Sequence, residues 1–195
     1  FLARLAGRSE RDVMTMMTIP STIAGGPSIF QVRLGSGEVL SPGDKADVLF
    51  AFYQHSYDGH IKNLRKGGVM VYDSDHVEPR EECLTDYRHI GIAISSLTVE
   101  AIGGTGRDKG KNIYALGLIG RMFSLNTTKL ERLINERFSA KGESVAKTAM
   151  DAFQAGYRYQ GDDISNLFRL ARGGADRSNQ VVMSGNEAIG YGLIA

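Results

Sequence analysis

A Gly-Gly-Pro turn at Gly25, Gly26 and Pro27 interrupts the stretch Ile19–Arg33 and constrains this chain more than any other segment. Glycine reaches backbone angles closed to other residues, and proline fixes the exit from the turn. The alternating run Ile29-Phe30-Gln31-Val32-Arg33-Leu34 follows directly and reads as a partly buried strand. A glycine-lined loop is thus placed at the end of a sheet, where α/β proteins commonly meet a ligand or partner.

The remaining pattern predicts an α/β fold. It is a three-layer domain with a mostly parallel sheet, a linker, and the beginning of a second α/β domain. Phe1 to about Arg11 reads as the tail of a helix, and Val13–Ile19 as a strand. Apolar runs at Val48–Phe52, Val69–Tyr72 and Ile90–Ile94 are the length and composition of parallel strands covered on both faces. Asp58–Arg65 is a short helix candidate, with Gly67-Gly68 as its stop. Helical spacing predicts helices at Asn112–Phe123, Thr128–Phe138 and Ser144–Tyr157, the second opened by a capping box at Thr128–Glu131. Gly117 and Gly120 share a helix face that admits a close neighbouring backbone. Ile164, Leu167, Phe168 and Leu170 suggest a short docking helix, residues 172–179 a linker, and residues 186–195 the opening of a further helix, decoupled from the main core.

Composition narrows the functional classes. With 23 Lys+Arg against 22 Asp+Glu in 195 residues, the chain has no electrostatic footprint for nucleic acid. No apolar run approaches the ~20 residues that cross a bilayer, so no membrane partner is expected. The first residue is Phe, from which a missing start is expected. The single Cys83 fits a reducing cytoplasm. One thiol cannot hold an iron–sulfur cluster, which takes about four.

Several side-chain groups invite chemistry. Tyr53-Gln54-His55-Ser56-Tyr57 follows a predicted parallel strand at its carboxyl end, the ligand edge of open α/β sheets, or else forms a plain strand-to-helix turn. The histidines at 55, 60, 76 and 89 lack metal-ligand spacing and read as surface or capping residues. Asp73-Ser74-Asp75 has no dinucleotide glycine pattern about 20 residues before it, so these acids read as turn formers. Gly103–Lys111 combines four glycines with three cations and is an anion candidate, against a plain solvated loop. Lys141-Gly142 marks a tight helix-to-helix corner, with Gly142 as a cap.

Six blocks in order carry a family resemblance. They are Pro20–Ser28 with Phe30–Arg33, Ala46–Ala51, Lys66–Ser74, Asn112–Gly117, Arg137–Val145 with Ala155–Tyr157, and Met183–Ile189. Together the first five resemble the gamma domain of the 2-oxoacid:ferredoxin oxidoreductases, and the last resembles the opening of the family's alpha domain. The resemblance implies the fused gamma–alpha type of alpha subunit. Residues 1–160 would be the gamma domain, its N-terminus incomplete, 161–180 a linker, and 181–195 the start of a thiamine-diphosphate-binding domain.

The implied enzyme oxidatively decarboxylates a 2-oxoacid, with 2-oxoglutarate as a candidate. It forms an acyl-coenzyme A and passes electrons to ferredoxin. Thiamine diphosphate and an iron–sulfur cluster belong to the complete complex with a beta subunit, not to this chain alone. No catalytic and no metal residue is expected here. Gly25, Gly26, Pro27, Ser28, Gln54, His55, Ser56 and Lys141 are expected to face coenzyme A or the cleft that closes over it. The sequence departs from the family at Ala24, where many members carry arginine, and in lacking a first strand and glycine-rich turn before Phe1. Two other classes stay open: a nucleotide-binding module and a purely structural α/β subunit of a larger complex.

Overall fold

The computed structural model describes residues 1–9, 11–18, 28–35, 37–103, 110–161, 164–165, 167–170, 181 and 183–194. The glycine turn at Gly25, Gly26 and Pro27, most of the Gly103–Lys111 loop and the expected 172–179 linker lie outside them. The chain divides into two compact units, residues 1–42 with 170–195, and residues 43–169.

In the first unit, helix α1 (Leu2–Gly7) buries Leu5 and Ala6. It packs on a ribbon of β1 (Asp12–Thr18) and β2 (Ile29–Gly35). The two strands are antiparallel, paired from Asp12↔Gly35 to Thr18↔Ile29. Directly opposed residues share a face, so Val13, Thr15 and Met17 join Leu34, Val32 and Phe30 on an uncharged side. Residues 39–42 fasten the ribbon. The Val39 N–H donates to the Asp12 carboxylate at 3.0 Å, and the Gln31 amide donates to the Pro42 carbonyl at 2.8 Å.

The second unit contains a parallel sheet in the order β3–β4–β5, from β3 (Ala46–Ala51), β4 (Leu64–Asp73) and β5 (Arg88–Ile92). Alternation along β4 divides the core. Val69 and Val71 join Ile90, Ile92, Tyr114, Leu118 and Met122 on one face. Met70 joins Ala51, Tyr57, Ile61 and Leu64 on the other. Helices therefore cover both faces, giving the expected three-layer α/β arrangement; the antiparallel ribbon is a separate sheet.

The helix after β3 differs from the sequence expectation. It is α2 (Gln54–His60), continued by a 3₁₀ turn at Ile61–Asn63, and it ends before Arg65. Tyr57 and Ile61 are one turn apart and both buried, which fixes this earlier register. Gly67 and Gly68 are not a helix stop but lie inside β4. Gly67 has φ +72°, and the pairing register shifts between Ala46 and Val48, the signature of a bulge.

β5 ends at Ile92, and helix α3 (Ile94–Ile102), which the sequence reading leaves out, starts two residues later. Its N-terminus is capped from another strand. Asp73, fully buried, accepts the Ser95 hydroxyl at 2.5 Å and the Ser95 N–H at 3.3 Å. Asp75 accepts the Ser96 N–H at 2.7 Å. Two turn acids thus satisfy open N–H groups of a helix about twenty residues away.

Helices α4 (Lys111–Met122), α5 (Thr127–Phe138) and α6 (Glu143–Tyr157) lie where the spacing places them. The cap of α5 is Asn126, whose side chain accepts the Lys129 N–H at 2.9 Å, rather than Thr128. Helices α4 and α6 cross at glycines. A Cβ on Gly117 would collide with the Phe153 carbonyl, and one on Gly156 with the Tyr114 carbonyl.

Ile164 is buried, Phe168 stacks on Phe123 at 4.8 Å, and the Phe168 N–H donates to Met122 O at 3.1 Å. The expected docking is present, but the described residues of 164–170 form no helix. Helix α7 (Gly185–Ile194) buries no residue. It opens with a reciprocal box in which the Ser184 N–H donates to the Glu187 carboxylate at 2.7 Å and the Glu187 N–H to the Ser184 hydroxyl at 3.2 Å. These bonds hold the Glu187 carboxyl below its ordinary pKa.

The glycine crossing gives a first test. Gly156→Ala gains helix propensity but forces two backbones apart. The expected net loss is about 1–3 kcal/mol in chemical denaturation. Unchanged or increased stability would show that α4 and α6 tolerate a wider separation.

Candidate functional site

The carboxyl ends of β3 and β4 are neighbours because the two strands are parallel and paired. Residues two to four positions past the strand ends therefore converge. Tyr53 and His55 come from the β3 side and His76 from the β4 side. The Tyr53 ring lies 5.7 Å from that of His55, with 7° between planes, and 5.8 Å from that of His76, with 26° between planes. The ammonium of Lys111, first residue of α4, lies over the same ring at 5.0 Å from its centroid. Lys111 is only 5% exposed, whereas Tyr53 is 39% exposed. The cluster is therefore a buried cation against the face of a surface ring, flanked by two exposed imidazoles.

The Tyr53 carbonyl accepts the N–H groups of Ser56 at 3.0 Å and Tyr57 at 3.1 Å, closing the first turn of α2. The segment linking β4 to β5 then straps across this helix. Gln54 donates its amide to the Glu78 carbonyl at 3.3 Å and accepts the Glu78 N–H at 2.9 Å. Arg80 donates to Asp58 at 2.8 Å, and this carboxylate raises the already high Arg80 pKa.

Beneath the strap, Tyr57 is fully buried. The Tyr87 carbonyl can only accept, so His89 donates to it through Nδ1 at 3.0 Å. Nε2 of a neutral His89 then accepts the Tyr57 hydroxyl proton at 2.9 Å, and the Tyr57 oxygen accepts the Arg80 N–H at 3.3 Å. Desolvation pushes the Tyr57 phenol up to about 12.

The residues expected to face a ligand have different placements. His55 is in the ring cluster. Gln54 uses its amide on the strap, which makes it a positioning residue for α2. Ser56 is half-buried in the first turn of that helix. Ser28 is exposed just before β2 in the other unit. Lys141 is exposed in the 3₁₀ corner Ser139–Lys141, its ammonium 5.8 Å from the Phe138 ring centroid. Gly25, Gly26 and Pro27 lie outside the described residues. Lys111 belongs to the anion candidate Gly103–Lys111, and His76 reads as a surface or capping residue. Residue spacing alone missed that both meet Tyr53, because they do so only through strand pairing and helix packing. The usable signal was positional: His76 stands three residues past β4, as Tyr53 stands two past β3.

The pyruvate ferredoxin/flavodoxin oxidoreductase family matches residues 1–159, and the chain belongs to it. Among curated proteins, 2-oxoglutarate oxidoreductase subunit KorA of Mycobacterium tuberculosis is 29% identical over 209 residues, covering 94% of this chain and 32% of that protein. The solved 2-oxoglutarate:ferredoxin oxidoreductase from Magnetococcus marinus, with 2-oxoglutarate, coenzyme A and succinyl-CoA bound, matches 99% of this chain and 33% of its own. Its TM-score is 0.84 at 27% identity. This chain thus spans about a third of the length of both relatives. The gamma subunit of a keto/oxoacid ferredoxin oxidoreductase from Geobacter sulfurreducens shares the fold, with TM-score 0.56 at 21% identity over 81% of this chain and 88% of that one.

The Tyr57 network sets an alkaline limit on stability. A phenol whose folded pKa is about 12, raised from 10, contributes fully below pH 10, and its contribution is lost as pH rises toward 12. Tyr57→Phe leaves His89 Nε2 and the Arg80 N–H without this partner and should cost about 1–2 kcal/mol at pH 7. Denaturation at pH 7 and pH 11 should show the gap between variant and wild type narrowing at the higher pH. A gap that widens instead contradicts the burial argument.

Proposed function

We propose that this chain is the gamma-type domain, residues 1–160, and the opening of the alpha domain, residues 181–195, of a fused alpha subunit in a 2-oxoacid:ferredoxin oxidoreductase. Residues 161–180 are the linker. The reading is carried by the likeness to the Magnetococcus enzyme, which extends over 99% of the chain and so includes the segment beyond the gamma-type part. The exposed Ile189, Tyr191, Leu193 and Ile194 on α7 suit a helix that belongs to a further domain.

In this reading the complete enzyme decarboxylates a 2-oxoacid, 2-oxoglutarate being the one named for both relatives. It transfers the acyl group to coenzyme A and delivers electrons to ferredoxin. Thiamine diphosphate supplies the carbon chemistry when bound, and other parts of the complex hold it. A beta subunit is the main partner, and the iron–sulfur cluster lies outside this chain, whose single cysteine is half-buried beside Tyr57. Among the described residues, no group of three or more His, Cys, Asp or Glu could hold a metal. No described helix is long and apolar enough to cross a membrane; we assign the complex to the cytoplasm.

The chain's own contribution is to close over coenzyme A. Gly25, Gly26, Pro27 and Ser28 are assigned to coenzyme A, and so, separately, are Gln54, His55 and Ser56. Lys141, exposed and cationic, meets a phosphate. Gly26→Val in the complete enzyme is expected to raise the Michaelis constant for coenzyme A by more than that for the 2-oxoacid, because a β-branched side chain blocks the backbone approach. If a folded variant keeps both constants and its turnover, the loop is structural and the assignment fails.

A further inference from the structure

We propose that His89 is a positioning residue for the turn at Gln54, His55 and Ser56. Its neutral imidazole holds the Tyr57 hydroxyl, the hydroxyl holds the strap of residues 74–87, and protonation of the ring lets the strap go. His89 is half-buried on β5, just past the end of the strap. An unbroken chain of bonds joins it to the turn. Nε2 accepts the Tyr57 hydroxyl proton at 2.9 Å, the Tyr57 oxygen accepts the Arg80 N–H at 3.3 Å, and the Arg80 side chain donates to Asp58 at 2.8 Å. On the same strap, Glu78 is bonded to the Gln54 amide in both directions. The first turn of α2 has no side-chain cap of its own, so slack in the strap passes to Gln54 and its neighbours.

The charge of the ring decides the first bond of this chain. Nδ1 donates in either form, because the Tyr87 carbonyl can only accept. A neutral ring leaves Nε2 as the acceptor for the phenol. A protonated ring carries N–H on both nitrogens, so Nε2–H and the Tyr57 O–H meet as two donors. Tyr57 cannot yield by ionising, since burial raises its phenol to about 12. Its hydroxyl must turn, and the side chain left beside it is the Cys83 thiol, a weak acceptor.

The groups that face the imidazole do not compensate its charge. They are Tyr57 of α2, Tyr72 of β4 and Tyr87 of the strap, with ring centroids 5.9, 6.2 and 6.5 Å away. All three are phenols. Arg80, which reaches the ring through Tyr57, is itself a cation. The carboxylates nearby are turned to other partners, Asp58 to Arg80 and Gln54, and Asp86 to Lys66 at 3.6 Å. No carboxylate among the described residues bonds to His89. Protonation therefore loosens the strap. The latch stands on these bonds alone; its effect on a ligand rests on the coenzyme A reading above.

The test is hydrogen exchange by mass spectrometry on the complete protein at about pH 8 and about pH 5.5, a span in which histidine is the side chain that ordinarily titrates. Protection of the strap, corrected for the intrinsic exchange rate at each pH, should fall about tenfold at the lower value, as a good acceptor is exchanged for a poor one. The strands β3, β4 and β5 should keep their protection. His89→Gln offers Tyr57 an uncharged amide oxygen at both values and should lose most of the dependence. Strap protection that does not change with pH in the wild type overturns the proposal without reliance on any variant. So does a folded His89→Gln protein that keeps the wild-type dependence. In the assembled enzyme, the Michaelis constant for coenzyme A should rise at the lower pH by more than that for the 2-oxoacid, and His89→Gln should flatten the rise. A coenzyme A constant that stays level while the strap loosens leaves the latch standing and counts against the coenzyme A reading of the turn alone.

Discussion

The second unit depends on the burial of β4 from both sides. Val69 and Val71 face one layer of helices and Met70 faces the other, and all three are nearly inaccessible to solvent. That burial sets the strand register, since a slip of one residue would exchange the two sets. Register in turn sets where β3 and β4 end relative to each other, and so where Tyr53, His55 and His76 meet. The two acids at the carboxyl end of β4, Asp73 as its last residue and Asp75 two positions on, extend the same logic to the next element. Asp73 and Asp75 hold the first turn of α3, which ties that helix to the end of the strand.

The strap between β4 and β5 shows how the site is kept in place by residues outside it. Gln54, Tyr57 and Asp58 stand on one short helix, and each is bonded to the strap. A seven-residue helix is too short to be stable alone. Its position is instead fixed by Tyr57 in the core and by these bonds. Whatever His55 and Tyr53 do at the sheet edge depends on that support.

Long periodic elements were legible in the sequence. The helices α4, α5 and α6 and the three parallel strands lie within a few residues of their expected positions, because apolar spacing there reports directly which face is buried. The glycines of α4 were read correctly as a close-approach face. Three features were not legible, each for a non-local reason. Helix α3 takes its cap from Asp73, the last residue of β4, and Asp75, in the turn that follows it. Gly67-Gly68 reads as a helix stop, yet burial of Tyr57 and Ile61 moves the helix earlier and leaves the glycines to form a bulge. The antiparallel pairing of β1 with β2 could not be distinguished from another parallel strand by alternation alone. At the site, His55 was singled out by its place after a strand. Lys111 was singled out only as part of the Gly103–Lys111 anion candidate, and its meeting with His76 at Tyr53 was visible only once strand pairing and helix packing put them there.

The resemblance to the 2-oxoacid:ferredoxin oxidoreductases in six ordered blocks agrees with the family match over residues 1–159, and what remains to be measured is the reaction. The most direct test of the proposed function is ferredoxin reduction by the complete protein purified with the beta subunit proposed for it, supplied with thiamine diphosphate, 2-oxoglutarate and coenzyme A. The account predicts reduction that requires both 2-oxoglutarate and coenzyme A and yields succinyl-CoA. Reduction that proceeds at full rate without coenzyme A, or a fully assembled complex that reduces ferredoxin with no 2-oxoacid tried, would contradict it.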